Sequence, residues 1–116
     1  MKNISLKIGI IGVGTVGSTL AQALTKSGYC VTALDSRSFD SSSKLASSID
    51  GCHACCTPQQ VCDVANFIFI TTGDDTIKEV TDSLKWHQGQ FAVHCSGADT
   101  SRLLTKAVTD GAQSGV

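Results

Sequence analysis

No stretch of these 116 residues approaches the ~20 consecutive apolar positions of a membrane span. The opening Met1-Lys2-Asn3-Ile4-Ser5 lacks the long apolar core of a secretory signal, so a cytoplasmic location is expected. Charge of one sign is also missing. Nine Lys+Arg stand against ten Asp+Glu, a formal net charge of −1. That balance gives no electrostatic case for nucleic acid or an anionic membrane surface as partner. There is a single proline, and no internal repeat, low-complexity segment or linker interrupts the chain. The length fits one domain. With 41% hydrophobic and 16% charged residues, the composition is globular.

Cysteine is not scarce: Cys30, Cys52, Cys55, Cys56, Cys62 and Cys95. A disulfide framework needs a secretory setting, which is lacking, so free thiols are expected.

What is present is an alternation of short strands and helices. Leu6 to Ile11 reads as a buried strand, an apolar run broken only by Lys7 and Gly9. A helix follows from about Thr15 to Ser27, with Val16, Leu20, Ala23 and Leu24 as its apolar stripe and Gly28 at its C-terminal cap. Cys30 to Leu34 is a second strand. A polar loop over Ser38 to Ser43 leads into a weak helix with Leu45, Ala46 and Ile49, capped by Ser41 or Ser42. Asp50-Gly51 is a turn, and Cys52 to Cys56 a third strand. Thr57-Pro58-Gln59-Gln60 has the form of a capping box opening a helix to about Val64. Asn66 to Thr72 is the clearest strand. A helix from Asp74-Asp75, a strand over Phe91 to Cys95 and a last helix from Thr100 or Ser101 to Val108 complete the pattern. Such alternation argues for a doubly wound parallel α/β sheet of about five to six strands, with helices on both faces. The length accommodates five strands and runs out about where a sixth should begin.

Gly12-Val13-Gly14-Thr15-Val16-Gly17 matches G-x-G-x-x-G, directly after the first strand and opening a helix, the context that gives the motif its meaning. Gly12 would permit the tight turn, Gly14 the approach of a pyrophosphate, and Gly17 close packing of helix on strand. The phosphates would sit on the helix N-terminus. Asp35 lies 18 residues beyond Gly17, where an acid would take the ribose 2′-hydroxyl of NAD. Ser36-Arg37-Ser38 follows at once and suits a 2′-phosphate, hence NADP, since a guanidinium can bind it bidentately. The two signals conflict unless Asp35 points away; NADP is slightly preferred over NAD. Thr71-Thr72-Gly73-Asp74 and Cys95-Ser96-Gly97 end two strands and should line one crevice.

Taken in order, the glycine motif, Ser36-Arg37-Ser38, Phe69 to Ile77 and His94-Cys95-Ser96-Gly97-Ala98 resemble one pattern over nearly the whole chain. It is similar to the N-terminal NAD(P)-binding, Rossmann-like domain of the 6-phosphogluconate-dehydrogenase-like oxidoreductases. That superfamily includes β-hydroxyacid dehydrogenases and pyrroline-5-carboxylate reductases. The resemblance implies that the adenine half of the cofactor lies over Gly12–Gly17 and Ser36–Ser38. It implies that Thr71, Thr72 and Ile77 border the adenosine and ribose, and that Ser96 and Gly97 lie near the nicotinamide. Such relatives often carry proline where this chain has Gly73. They add a helical second domain, absent here, that covers the substrate and supplies the catalytic lysine or histidine, so no catalytic residue is assigned.

Cys52-His53-Ala54-Cys55-Cys56 packs four soft ligands into five residues, but no second cluster follows at zinc-site spacing. Strand alternation would separate His53 and Cys55 from Cys52, Ala54 and Cys56, so packing as small hydrophobes is favoured over a metal site. His94 and Cys95 would likewise point oppositely, which argues against a nucleophile pair. His94 could still line the crevice.

The expected function is that of the cofactor domain of an oxidoreductase transferring hydride between NADP(H) or NAD(H) and a small hydroxyacid, carbonyl or imine. The alternative is a non-enzymatic nucleotide-sensing domain of the same fold. A redox or metal module on Cys52 to Cys62 is a weaker third. The expected partners are a nicotinamide dinucleotide and, in a full-length enzyme, a small substrate; a homodimer is compatible with the resemblance.

Overall fold

The computed structural model describes residues 7–72, 79–80, 82–94 and 113–115. Its strands are β1 (Lys7–Ile11), β2 (Cys30–Asp35), β3 (His53–Ala54), β4 (Phe67–Ile70), β5 (Phe91–His94) and β6 (Gln113–Gly115). The helices α1 (Thr15–Lys26), α2 (Phe39–Ser47) and α3 (Pro58–Val64) connect the first four strands. Among the described residues these strands form one sheet in the order β3-β2-β1-β4-β5-β6, and every pairing is parallel. The chain winds outward from β1 in both directions, which makes a doubly wound α/β sheet with its switch point between β1 and β4.

Two apolar layers sandwich the sheet. Ile8, Ile10, Val31 and Leu34 pack with Ala21 of α1 and Ala46 of α2 on one face. Ile11, Ala33, Ile68, Ile70 and Ala92 pack with Val61 and Cys62 of α3, and with Leu84 and Trp86, on the other. Gly9 is what lets α3 lie so close to β1. A Cβ there would stand 2.5 Å from Val61 Cγ1 and 2.8 Å from Ala65 Cβ.

Several elements depart from the sequence reading, each for a local reason. A sixth strand is present: β6 pairs with β5, Phe91 opposite Gln113 and Val93 opposite Gly115. The chain therefore does not run out before it; residues 95–112 are long enough for a parallel crossover. On α1 the core-facing residues are Gly17 and Ala21, flanked by half-buried Leu20 and Leu24, while Val16 is 57% exposed and Ala23 is exposed. The stripe is rotated because small residues at 17 and 21 let the helix settle onto the sheet. The helix α2 starts at Phe39, with Ser38 at its N-cap, not at Ser41 or Ser42. Ser42 instead lies buried inside it, its hydroxyl donating to the Phe39 carbonyl at 3.1 Å. The third strand shrinks from Cys52–Cys56 to His53–Ala54, and the fourth from Asn66–Thr72 to Phe67–Ile70.

Other local signals hold. Gly28 is left-handed (φ +94°), with its N–H bonded to the Thr25 carbonyl and that of Tyr29 to the Leu24 carbonyl, a Schellman closure of α1. Gly51 and Gly89 also have positive φ in their turns. Thr57 caps α3 and accepts from the Gln60 N–H at 3.3 Å. The returning Gln60 carboxamide accepts from Cys56 N–H at 2.7 Å, one residue before the cap itself. Residues 79–80 and 82–83 are helical. Ile77 and the expected helices beginning at Asp74-Asp75 and at Thr100 or Ser101 lie at least partly outside the described residues. Among the described residues no helix is long and apolar enough to cross a membrane.

Candidate functional site

A cleft of about 780 Å3 opens across the carboxyl ends of β1, β2 and β4. Its floor is the glycine loop. Gly12 follows Ile11 with φ +85°, and its N–H and that of Val13 both bond to the Asp35 carbonyl, at 2.9 and 2.7 Å. The end of β1 is thus tied to the end of β2. A side chain at Gly12 is excluded twice, by the left-handed backbone and by Thr72, whose Cγ2 would stand 2.3 Å from a Cβ.

Gly14 is the N-cap of α1, and its carbonyl accepts the first helical bond, from Ser18 N–H at 2.9 Å. Nothing lies within 4 Å of the position a Cβ would take there. The open space above Gly14 faces the first turn of α1, whose leading N–H groups have no acceptor within the helix. A pyrophosphate suits that place in both shape and charge. Gly17 serves the other side. A Cβ on it would meet Thr71 Oγ1 at 2.8 Å, and that hydroxyl holds the Gly12 carbonyl at 2.9 Å and the Ile11 carbonyl at 3.1 Å. The third glycine therefore makes room for a threonine that pins the loop.

The β2 side of the cleft carries the polar groups. Ser36, Arg37, Ser38 and Ser41 line it, with Arg37 and Ser38 exposed. The Ser36 hydroxyl donates to the Ser38 carbonyl and fixes the turn that opens α2. Asp35 also lines the cleft but is only 6% exposed. A register shift between β1 and β2 decides its direction. Ile8 pairs with Val31 but Gly9 with Ala33, so Thr32 is an extra residue, with its hydroxyl donating to the Ile8 carbonyl at 3.2 Å. Beyond that bulge Ala33 lies with the α3 layer and Leu34 with the α1/α2 layer, and alternation places Asp35 on the α3 face beside Ile11. Its carboxyl makes no hydrogen bond among the described residues, and burial pushes its pKa from 3.8 up to about 6.

Of the sequence-predicted site residues, Gly12, Val13, Gly14, Asp35, Ser36, Arg37, Ser38, Thr71 and Thr72 are brought together around this cleft. Gly17 lies just beneath it. Thr15 and Val16 start α1, and Val16 borders a shallow apolar groove along that helix with Thr19, Leu20 and Ala23. Gly73, Ile77, Ser96 and Gly97 lie outside the described residues. The sequence reading missed Ile11, Ser41, Cys56, Pro58, Glu79 and Val80 as cleft residues. Cys56 and Pro58 follow β3, and the rule that ligands bind at strand carboxyl ends points to them. Ser41 is one helical turn beyond Ser38.

The cysteine cluster is split by the sheet. Cys52 and Ala54 pack with the α1/α2 layer and Cys55 with the α3 layer. Burial pushes the Cys52 thiol up to about 11; it also raises Cys55, whose shift is increased by the Asp35 charge. Cys30, Cys52, Cys55, Cys56 and Cys62 are free thiols. Among the described residues no three His, Cys, Asp or Glu side chains gather as metal ligands.

A family model described as a Rossmann-like domain matches residues 1–114. No curated protein matches the chain. Solved structures do. An imine reductase from Pseudomonas sp. superposes with a TM-score of 0.81 at 21% identity, over 97% of this chain and 41% of that one. A reductive aminase from Aspergillus terreus, in complex with NADPH4, cyclohexanone and allyl amine, has a TM-score of 0.80 at 18% identity, over 96% and 40%. A 1-pyrroline-5-carboxylate reductase from Streptococcus pyogenes has a TM-score of 0.70 at 22% identity, over 86% and 38%. The chain thus spans about two fifths of the length of these structures, and the likeness is one of fold.

Proposed function

Because the chain belongs to the Rossmann-like domain family, we propose that it is a single nicotinamide-dinucleotide-binding domain, with NADP(H) preferred over NAD(H). In its complete enzyme it would serve hydride transfer to or from a small imine, carbonyl or hydroxyacid. The observation that carries this reading is the glycine loop at the sheet's switch point, with a filled backbone approach at Gly12 and Gly17 and open space above Gly14. A second feature fits the same ligand. Thr72 Oγ1 is buried and has no hydrogen-bond partner among the described residues, so a ligand hydroxyl reaching it from the cleft would complete it.

The residues divide the ligand between them. Gly14 and the first turn of α1, with Thr15 and Val16, hold the pyrophosphate by backbone N–H groups. Arg37, with the hydroxyl of Ser38, takes a 2′-phosphate as a charge-assisted clamp, in a turn that the Ser36 hydroxyl shapes by donating to the Ser38 carbonyl. Thr71 and Thr72 border the ribose. Gly73, Ile77, Ser96 and Gly97 carry the roles that the family resemblance implies for them, the last two toward the nicotinamide. When bound, the cofactor would donate or accept the hydride; the protein orients it. The imine and carbonyl substrate class is supported by the reductases the fold resembles.

Titration of the chain with NADPH, followed by cofactor fluorescence or calorimetry, tests the reading. Saturable binding of NADPH, tighter than that of NADH, is expected. Ligand present at about 100 times its Kd should stabilise the fold by about 2.7 kcal/mol. No binding of either cofactor at millimolar concentration would overturn it.

A further inference from the structure

The cleft has two lobes of different chemistry. The lobe toward α2 holds Arg37 and three serine hydroxyls. The lobe toward α3 is formed by Ile11, Pro58, Cys56 and Val80, with Asp35 as its buried polar side chain. The β2 bulge turns Asp35 into that second lobe. Asp35 as a whole residue is 6% exposed, and its carboxyl, with no hydrogen-bond partner among the described residues, is available to a ligand at an apolar concavity. With the pyrophosphate on Gly14 and a 2′-phosphate on Arg37, the lobe left for the purine is this one.

We propose that Asp35, in its protonated form, reads the adenine ring of the bound dinucleotide, donating its O–H to N7 and accepting from the 6-amino group. This rests on the dinucleotide-binding reading above. The geometry is the one by which Asn and Gln read adenine, a donor and an acceptor side by side on a planar group. A neutral carboxyl presents the same pair; an ionised one presents acceptors only and meets the N7 lone pair with charge. The burial that raises Asp35 to about 6 lowers the cost of holding the proton. The other titratable or charged groups around it among the described residues are Arg37 after β2, Cys55 and Cys56 after β3, and Glu79 in the helical stretch beyond β4. Hypoxanthine places an oxygen where adenine has its amino group, so a carboxyl cannot satisfy both of its atoms.

Three consequences follow for the chain as it stands. Binding of NADPH takes up a proton, about half of one at pH 6 given a free-state midpoint near 6. Relative to the Asp35→Asn variant, NADPH affinity falls about fifteenfold from pH 6 to 7.5; this comparison cancels titration of the ligand's own phosphate. The hypoxanthine analogue of NADPH binds at least about fivefold more weakly than NADPH. Asp35→Asn keeps that preference and loses the proton uptake, while Asp35→Ala loses both.

The test is calorimetry of NADPH and its hypoxanthine analogue at pH 6 and 7.5, in two buffers of different ionisation enthalpy. A thermal melt checks that each variant is folded. Binding of NADPH with no proton uptake relative to Asp35→Asn, or equal affinity for the two bases, overturns the assignment of Asp35 and leaves the dinucleotide reading standing. Failure of both ligands to bind overturns both.

Discussion

Arg37 and Gly17 carry the most direct tests at the scale of single residues. Arg37 is exposed on the α2 lobe, so truncating it should leave the fold intact. Arg37→Ala is expected to weaken NADPH binding by about tenfold or more, the loss of one charge-assisted contact, and NADH binding far less. Affinities measured for both cofactors check this; equal losses would mean that Arg37 does not contact the 2′-phosphate. Gly17→Ala acts from below. Its new Cβ would press on Thr71 Oγ1, and that hydroxyl is already committed to two carbonyls of the glycine loop. A loss of about 1–3 kcal/mol in stability is expected, together with weaker NADPH binding, read by denaturant unfolding and by titration. The motif in the sequence announced that glycine is needed here. That the neighbour is Thr71, just beyond β4 and some fifty residues away, was not legible, because local spacing carries no information about which distant residue fills the space.

At the scale of elements, α3 lies directly against β1 at Gly9. Gly9→Ala is expected to cost about 1–3 kcal/mol through overpacking against Val61 and Ala65, with α3 forced outward. A shift in the denaturant midpoint at unchanged slope checks it. The sequence reading noticed Gly9 only as a break in an apolar run. Its reason is a crossover helix lying on the strand. Two helix ends were legible, while the start of α2 and the buried face of α1 were not. The closure of α1 at Gly28 and the start of α3 at Thr57-Pro58 depend on a few adjacent residues and were legible. The apolar stripe of α1 was misplaced onto Val16 and Ala23, because hydrophobicity alone ranks valine above glycine as a core residue. Close packing reversed that order.

For the whole molecule, pH provides the measurement. Asp35 has a folded-state pKa raised to about 6 from 3.8. The folded state therefore binds more protons than the unfolded one between those values, and stability falls as pH rises through that window. Above about pH 7 the loss is complete, an upper bound of about 3 kcal/mol for a two-unit shift. Asp35→Asn is expected to raise the melting temperature at pH 7.5 and to change it little at pH 4. A variant no more stable than the parent at pH 7.5 would show that Asp35 is not strained by burial.

The alternation of apolar runs, turn residues and the glycine motif by themselves determined the strand–helix order, and with it the doubly wound sheet and the cleft at its switch point. These follow from local periodicity and from the handedness of parallel crossovers, which leave few topologies. The tertiary structure alone decided which way Asp35 points, through one extra residue at Thr32 in the pairing of β2 with β1. A one-residue slip exchanges the two faces of a strand, and it is set by the neighbouring strand's register, which the chain does not declare locally. The same is true of β6, whose partner β5 lies far back in the sequence. The conflict between Asp35 and Arg37, open in the sequence, is a matter of faces: the bulge turns Asp35 to the α3 side of the sheet, and Arg37 lies in the turn that opens α2.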